Sequence, residues 1–240
     1  MSLQACAENV AEGDPARFRV VMTMPLPLRE KLLPILAFNL EVARAPYVTA
    51  EPMIARIRLQ WWRDCLDEIF AGGDVRAHDV AHPLAAVIRA VNLPKKPFTD
   101  MLDARETDIE GFDFETWDTL WGYLDVSGGA LLEVLGLAAG IDRPARDNGT
   151  GFAAAGWLRA VPDLSKRGGR VLPNPEEVPQ FADGALHRIS GCGSLQPISR
   201  FGYLVPYTLK KAGRDPSAVL EGRLEPHPLR AQMAFLRSLY

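Results

Sequence analysis

Apolar residues recur at intervals of three and four along almost the whole of this chain, and no stretch alternates apolar with polar residues as a half-buried strand would. The clearest stripe is Ile54, Ile57, Trp61, Cys65 and Ile69, which a helix of 3.6 residues per turn gathers on one face. Thr49-Ala-Glu-Pro marks its start, with Pro52 in the first turn, where a missing N–H leaves no bond unmade. Gly72-Gly73 marks its end. Helices that each carry one apolar stripe must bury those stripes on one another, so the pattern predicts an all-α bundle.

The same periodicity predicts helices over 25–44, 82–91, 97–110, 115–139, 151–160, 181–190, 197–211 and 228–239. The first carries Leu28, Leu32, Ile35, Leu36 and Leu40, and the second opens at His82-Pro83 and closes at Leu93-Pro94. Within 115–139, Ser127-Gly-Gly-Ala130 is small enough for a neighbouring helix to approach closely. Residues 166–179 are rich in Gly and Pro and read as a loop. No repeat, low-complexity stretch or long linker divides the chain. A single domain over 1–240 is expected, with 1–13 loosely ordered.

At 240 residues and 48% hydrophobic the chain can bury a sizeable core. Lys plus Arg number 27 against 30 Asp plus Glu, a net charge of −3 that argues against a nucleic-acid partner. The charge is uneven. Residues 1–150 hold 15 basic and 23 acidic groups, residues 151–240 hold 12 and 7, and 100–118 alone carry eight carboxylates opposed only by Arg105. Cys6, Cys65 and Cys192 form neither a metal-ligand spacing nor a disulfide framework, which suits a reducing compartment. The start of the chain lacks the basic-then-apolar pattern of a signal peptide. The most apolar window, 124–141, contains Asp125, Glu133 and four glycines, so no membrane span is expected. The expectation is a soluble, cytoplasmic protein, at most peripheral to a membrane.

Three segments carry polar chemistry. In Arg58-Leu-Gln-Trp-Trp-Arg-Asp64, Trp61 reads as core, while Arg56, Gln60, Arg63 and Asp67 share a polar face on which Arg63 and Asp67 are spaced for an i, i+4 bridge. The acidic helix places Asp103, Thr107 and Glu110 on one face; that suits either a hard cation such as Mg²⁺ or plain solvent. The segment Ser165-Lys-Arg-Gly-Gly-Arg170 joins three cations to two glycines, and reads either as a phosphate cradle or as a basic surface loop. The four histidines show no ligand spacing, and no nucleophile triad is visible.

In order along 14–173, these pieces resemble the squalene/phytoene synthase family. The carriers are Leu36-Ala-Phe-Asn-Leu-Glu41, Glu51-Pro-Met53, Arg58-Leu-Gln-Trp-Trp-Arg-Asp64, Leu66-Asp-Glu-Ile69 and Gly72. His82-Pro83, Leu102-Asp103, Asp108-Ile109, Leu158-Arg159 and Gly169-Arg-Val-Leu-Pro173 follow. The tryptophan-rich segment is the specific one. The resemblance implies an isoprenoid-synthase-type helical bundle around a central cavity. It also implies condensation of two prenyl diphosphates head to head, with two aspartate-rich motifs holding Mg²⁺ against the leaving diphosphate. Arg63, Asp103, Asp108, Arg159 and Arg170 fall on segments that would bind substrate.

The chain departs from that pattern where the metal should sit. Ala43 and Arg44 stand in place of the adjacent aspartates of the first motif, and Tyr47 in place of the third. The second motif reads Ala160, Asp163, Leu164, with one carboxylate left and Pro162 expected to interrupt the helix. Asp103, Asp108 and Asp163 are the remaining metal candidates. Keeping the tryptophan-rich helix while losing both metal motifs is similar to a degenerate branch of the family that includes an assembly factor of respiratory complex I. That implies a non-catalytic bundle without a cofactor, whose partner is a respiratory-complex protein or an isoprenoid lipid, peripheral at the inner membrane. The alternative is a Mg²⁺-dependent prenyl diphosphate transferase ligating metal through Asp103, Asp108 and Asp163.

Overall fold

The computed structural model describes residues 3–49 and 51–239, and among them every regular element is helical. In chain order these are α1 (Leu3–Gly13), α2 (Pro15–Val21), α3 (Leu26–Arg44), α4 (Pro52–Ala71), α5 (Ala81–Val91), α6 (Lys96–Glu110), α7 (Trp117–Leu124), α8 (Ala130–Ala138), α9 (Arg146–Ser165), α10 (Val178–Arg188), α11 (Val205–Arg214), α12 (Ser217–Leu220) and α13 (Pro228–Arg237). Short 3₁₀ turns and one π-turn, Asp125–Gly129, connect them. Among the described residues, backbone pairing of the β type is confined to an isolated bridge between Asp113 and Arg170.

Local chemistry sets the ends. Asp14 caps α2, its carboxylate accepting from the Arg17 backbone N–H at 2.9 Å, with Pro15 in the first turn. Thr116 and Thr119 form a reciprocal capping box at α7. Left-handed Gly72 stops α4 at the residue the sequence indicates.

The chain packs as two compact units, Met1–Glu110 with Glu133–Pro144, and Gly111–Leu132 with Ala145–Tyr240. Each is discontinuous in sequence, which is why no linker marks a boundary. In the first unit Phe38 of α3 is fully buried and meets Trp62 of α4 edge-on at 5.1 Å and Phe98 of α6 at 5.5 Å. In the second unit Phe112, Phe114, Tyr123 and Trp157 form an aromatic cluster, with Phe112 and Trp157 at 5.0 Å. Edge-to-face packing of this kind adds about 0.5–1.5 kcal/mol per pair beyond the area it buries.

Several sequence expectations are corrected. Residues 3–13 form α1 and bury Cys6 and Val10, whereas Met1 and Ser2 lie outside the described residues. A stripe of only two fully buried residues is too short to stand out in sequence. The buried face of α4 is Ala55, Leu59, Trp62, Cys65, Leu66 and Ile69, while Ile54 and Ile57 are 45% and 60% exposed and Trp61 is half-buried. Helix α9 runs through Pro162 to Ser165. The missing N–H falls in its last turns, and buried Val161 and half-buried Leu164 hold the backbone to the core across it. The long helix expected over 115–139 contains the π-turn, and the one expected over 197–211 is a 3₁₀ turn, Ile198–Gly202, followed by α11.

Candidate functional site

In the first unit, α4 and α6 lie side by side and their polar faces meet. Arg63 donates to Asp103 at 2.9 Å and to Glu106 at 3.1 Å, and Arg56 reaches Glu106 and Glu110 at 3.4 and 3.5 Å. The i, i+4 bridge from Arg63 to Asp67 is not the contact made: Asp67 instead pairs with Lys95 at 2.5 Å, and Gln60 bonds Asp64. Burial by itself would lower the Arg63 guanidinium, but its hydrogen bonds to Asp103 and Glu106 outweigh that and raise it above its ordinary value. Asp108 accepts from Arg105 at 2.8 Å and from the Tyr47 hydroxyl at 3.2 Å, and its side chain is fully buried.

Arg44, at the end of α3, is exposed, and its guanidinium lies so close to Gly13 that a Cβ there would collide with it. Ala43, one residue earlier, is half-buried and offers no ligand atom. On α3 itself, Glu41 is held by the Asn9 amide at 2.8 Å. It lines a cavity of about 160 Å³ with Arg58, Trp61, Trp62 and His78. Arg76 stacks over Trp61 at 5.2 Å and pairs with Glu68. Trp61, expected in the core, is therefore a wall of this cavity.

In the second unit Asp163, the acid found where the second motif was expected, sits in a surface pair. Asp163 is 81% exposed and accepts from Lys166 at 2.6 Å, which holds its carboxyl below the usual range. Ala160 and Leu164 are half-buried, and Arg159 is paired with Glu225 at 2.7 Å. The basic loop is docked on the protein. The Arg170 N–H donates to the Phe112 carbonyl at 2.7 Å, Trp157 Nε1 donates to the Val171 carbonyl at 2.9 Å, and the Arg170 side chain faces Asp113 at 3.5 Å. Gly169 sits at φ +84° with its Cα against the Phe112 carbonyl, so this glycine serves the turn.

Two groupings escaped the sequence. Asp125, in the π-turn, accepts from Arg146 at 2.9 Å and from Thr150 Oγ1 at 3.2 Å. Trp117, Trp121 and Phe181 stack with centroids 4.3–4.6 Å apart and line a cleft of about 410 Å³ with Glu177 and Gln180. A pairing across 21 residues has no spacing signature. The 117/121 spacing was visible as helical, but nothing in it pointed to Phe181.

A divalent cation bound for diphosphate chemistry needs several carboxylate oxygens free to face it. On α6, Asp103, Glu106, Glu110 and Asp108 are each engaged by an arginine of the same unit. Among the described residues no group of three His, Cys, Asp or Glu is placed to hold a metal ion. The donor set does not fit Mg²⁺.

The profile of the squalene/phytoene synthase family matches residues 10–178, most of the chain. The chain belongs to the squalene/phytoene synthase family. Its fold is the isoprenoid-synthase fold. It superposes on a dehydrosqualene synthase with a TM-score of 0.76 at 13% identity, over 98% of this chain and 94% of that one. On a squalene synthase HpnC from Alicyclobacillus acidocaldarius the TM-score is 0.66 at 19% identity, over 99% and 90%. Among curated proteins the chain is similar to NADH dehydrogenase (ubiquinone) complex I, assembly factor 6. The bovine (Bos taurus) protein is 26% identical over 174 residues, 70% of this chain and 52% of that protein. The human (Homo sapiens) protein is 25% identical over the same length. The chain spans about half the length of these relatives. At the positions the sequence pattern led one to expect for the two aspartate-rich motifs, the chain carries Ala43, Arg44, Tyr47, Ala160, Asp163 and Leu164.

Proposed function

We propose that this chain is a non-catalytic member of the squalene/phytoene synthase family that acts in the assembly of a respiratory complex of the complex I type. The observation that supports this most is the state of its carboxylates. Five of the six positions expected to hold metal carry no acid, the sixth is a surface ion pair, and the acids of α6 are paired with arginines or, at Asp100, with Lys96. A diphosphate leaving group needs its charge neutralised as it departs, and an arginine–carboxylate clasp has no spare charge to give it. The names of the curated relatives point the same way. No cofactor is needed for such a role; its ligand would be a protein partner or an isoprenoid lipid held on the helical scaffold.

No helix among the described residues is long and apolar enough to cross a membrane. On this reading the chain works as a peripheral factor at an inner membrane. Deleting it from its host should lower the amount of fully assembled complex I on native gels and leave prenyl diphosphate metabolism intact. Incubation of the purified chain with farnesyl or geranylgeranyl diphosphate and Mg²⁺ should release no diphosphate. Turnover that disappears in Asp103→Ala or Asp108→Ala, or normal complex I in the deletion strain, overturns the proposal.

A further inference from the structure

Helix α13 is amphipathic in an inverted sense: its apolar stripe faces solvent. Leu229, Met233 and Leu236, spaced i, i+4 and i+7, are 71%, 54% and 48% exposed. At about 100° per residue they fall within an arc of about 60°. Ala231, Ala234 and Phe235 lie on the other side, where Phe235 is buried and meets Tyr203 edge-on at 5.5 Å. The helix is thus fixed to its own unit by one face and presents an unpartnered apolar face outward.

The charge along this helix has one sign. From Pro226 to Leu239 there is no Asp or Glu, and Arg230 and Arg237, both exposed, lie together along one edge of the apolar stripe. Arg230 lies over the Tyr207 ring at 5.3 Å, with Lys211 over the same ring at 6.0 Å, so the cationic side of α11 adjoins that of α13. Over 197–239 there are seven Lys and Arg against three Asp and Glu. Those three acids are taken: Asp215 and Glu221 pair with Arg223, and Glu225 pairs with Arg159. Lys210, Arg214, Arg230 and Arg237 make no ion pair among the described residues. A second exposed apolar group, Met53, Ile54 and Ile57 on α4, sits on the helix whose Arg56 is bound to Glu106 and Glu110, so no single charge selects a partner there.

We propose that α13 is a membrane-docking helix that lies in the interface of an anionic lipid bilayer, with Leu229, Met233 and Leu236 inserted and Arg230 and Arg237 on the headgroups. Apolar insertion beside cations is the pattern of in-plane interfacial helices. Each arginine near an anionic surface contributes about fivefold to partitioning, an effect that salt screens. A polar protein groove would not require both features, and a second copy of this chain would bring its own four unpaired cations against these.

The test is co-sedimentation of the purified full chain with vesicles of phosphatidylcholine alone and of equal parts phosphatidylcholine and phosphatidylglycerol. The chain should pellet with the mixed vesicles, weakly with the neutral ones, and be released by high salt. Met233→Glu should abolish pelleting, and Arg230→Gln with Arg237→Gln should weaken it about 25-fold. These side chains are exposed, so the circular dichroism of each variant should match the parent. Equal pelleting with both vesicle types, none with either, or variants that bind as the parent does would overturn the proposal. So would a dimer in solution that Met233→Glu dissociates, since α13 would then be covered by a second copy. The assay contains neither complex I nor prenyl diphosphate, so its outcome is independent of the assembly role.

Discussion

The pairing of α4 with α6 in the first unit and of the Asp125–Gly129 turn with α9 in the second are both closed by an arginine–carboxylate contact, yet they are built differently underneath. Arg63 bridges Asp103 and Glu106 at a half-exposed surface, above the layer of Phe38, Trp62 and Phe98. Arg146 and Thr150 hold Asp125 where two backbones touch: a Cβ on Gly149 would lie 2.6 Å from the Gly128 carbonyl oxygen and from the Leu132 Cβ. The first pairing is a packed layer with a replaceable charge on top. The second is a steric lock, in which the polar contact completes a fit that only glycine permits. A helix pair of the first kind can change the charges on its surface and keep its packing, because its stability lies in the apolar layer.

The largest effect should come from that layer. Phe38→Ala removes a fully buried ring with two aromatic neighbours and should cost about 3–5 kcal/mol, read as a lowered urea midpoint. Next comes the lock. Gly149→Val adds atoms against backbone that cannot move aside, and should cost about 3 kcal/mol. Gly156, on the same helix with open space where a Cβ would stand, is the control, and Gly156→Ala should instead stabilise by up to about 1 kcal/mol. Equal stability of Gly149→Val and Gly156→Ala would refute the steric account.

The sequence told these two regions apart only in part. The small residues at Ser127–Ala130 correctly announced a close approach, because size alone decides whether backbones can touch. The π-turn was invisible, since it is a shift of hydrogen-bond register that no side chain announces. On α4 the period was legible and the phase was not. Trp61 and Trp62 each fit a three-and-four series, and Ile54 and Ile57 outweigh Ala55 on any apolar scale. The choice of Trp62 is made by Phe38, 24 residues away, which only the tertiary packing supplies. The family resemblance was carried by the order of short motifs and is matched by the profile over 10–178. The partners of Arg63 were not readable, because carboxylates 40 and 43 residues distant compete with the local Asp67.

A smaller effect follows for the clasp. Arg63→Met keeps the stem packed and removes the charge, and should cost less than about 1 kcal/mol, as exposed or half-exposed ion pairs do. A double-mutant cycle with Asp103→Asn should give a coupling of about 0.5 kcal/mol that fades with added salt. A coupling of several kcal/mol would mean that the charge, and not the layer beneath it, holds α4 to α6.

The last contrast concerns the thiols. Cys6 and Cys65, both in the first unit, are fully buried, and burial pushes each up to about 11 from an ordinary 9, with Asp79 adding to the effect at Cys6. Cys192, in the second unit, is half-buried and is also raised by burial. A folded-state pKa above the unfolded one means that the folded chain holds protons the unfolded chain releases. The stability contributed by the two buried thiols is therefore complete below pH 9 and is lost as pH rises from 9 through about 11. Replacing both with Ala should flatten that alkaline limb in pH-dependent denaturant melts. At neutral pH a thiol reagent should modify Cys192 first, and reach Cys6 and Cys65 only as fast as the first unit opens. Three thiols reacting at one rate would remove the contrast between a closed first unit and a more accessible site in the second.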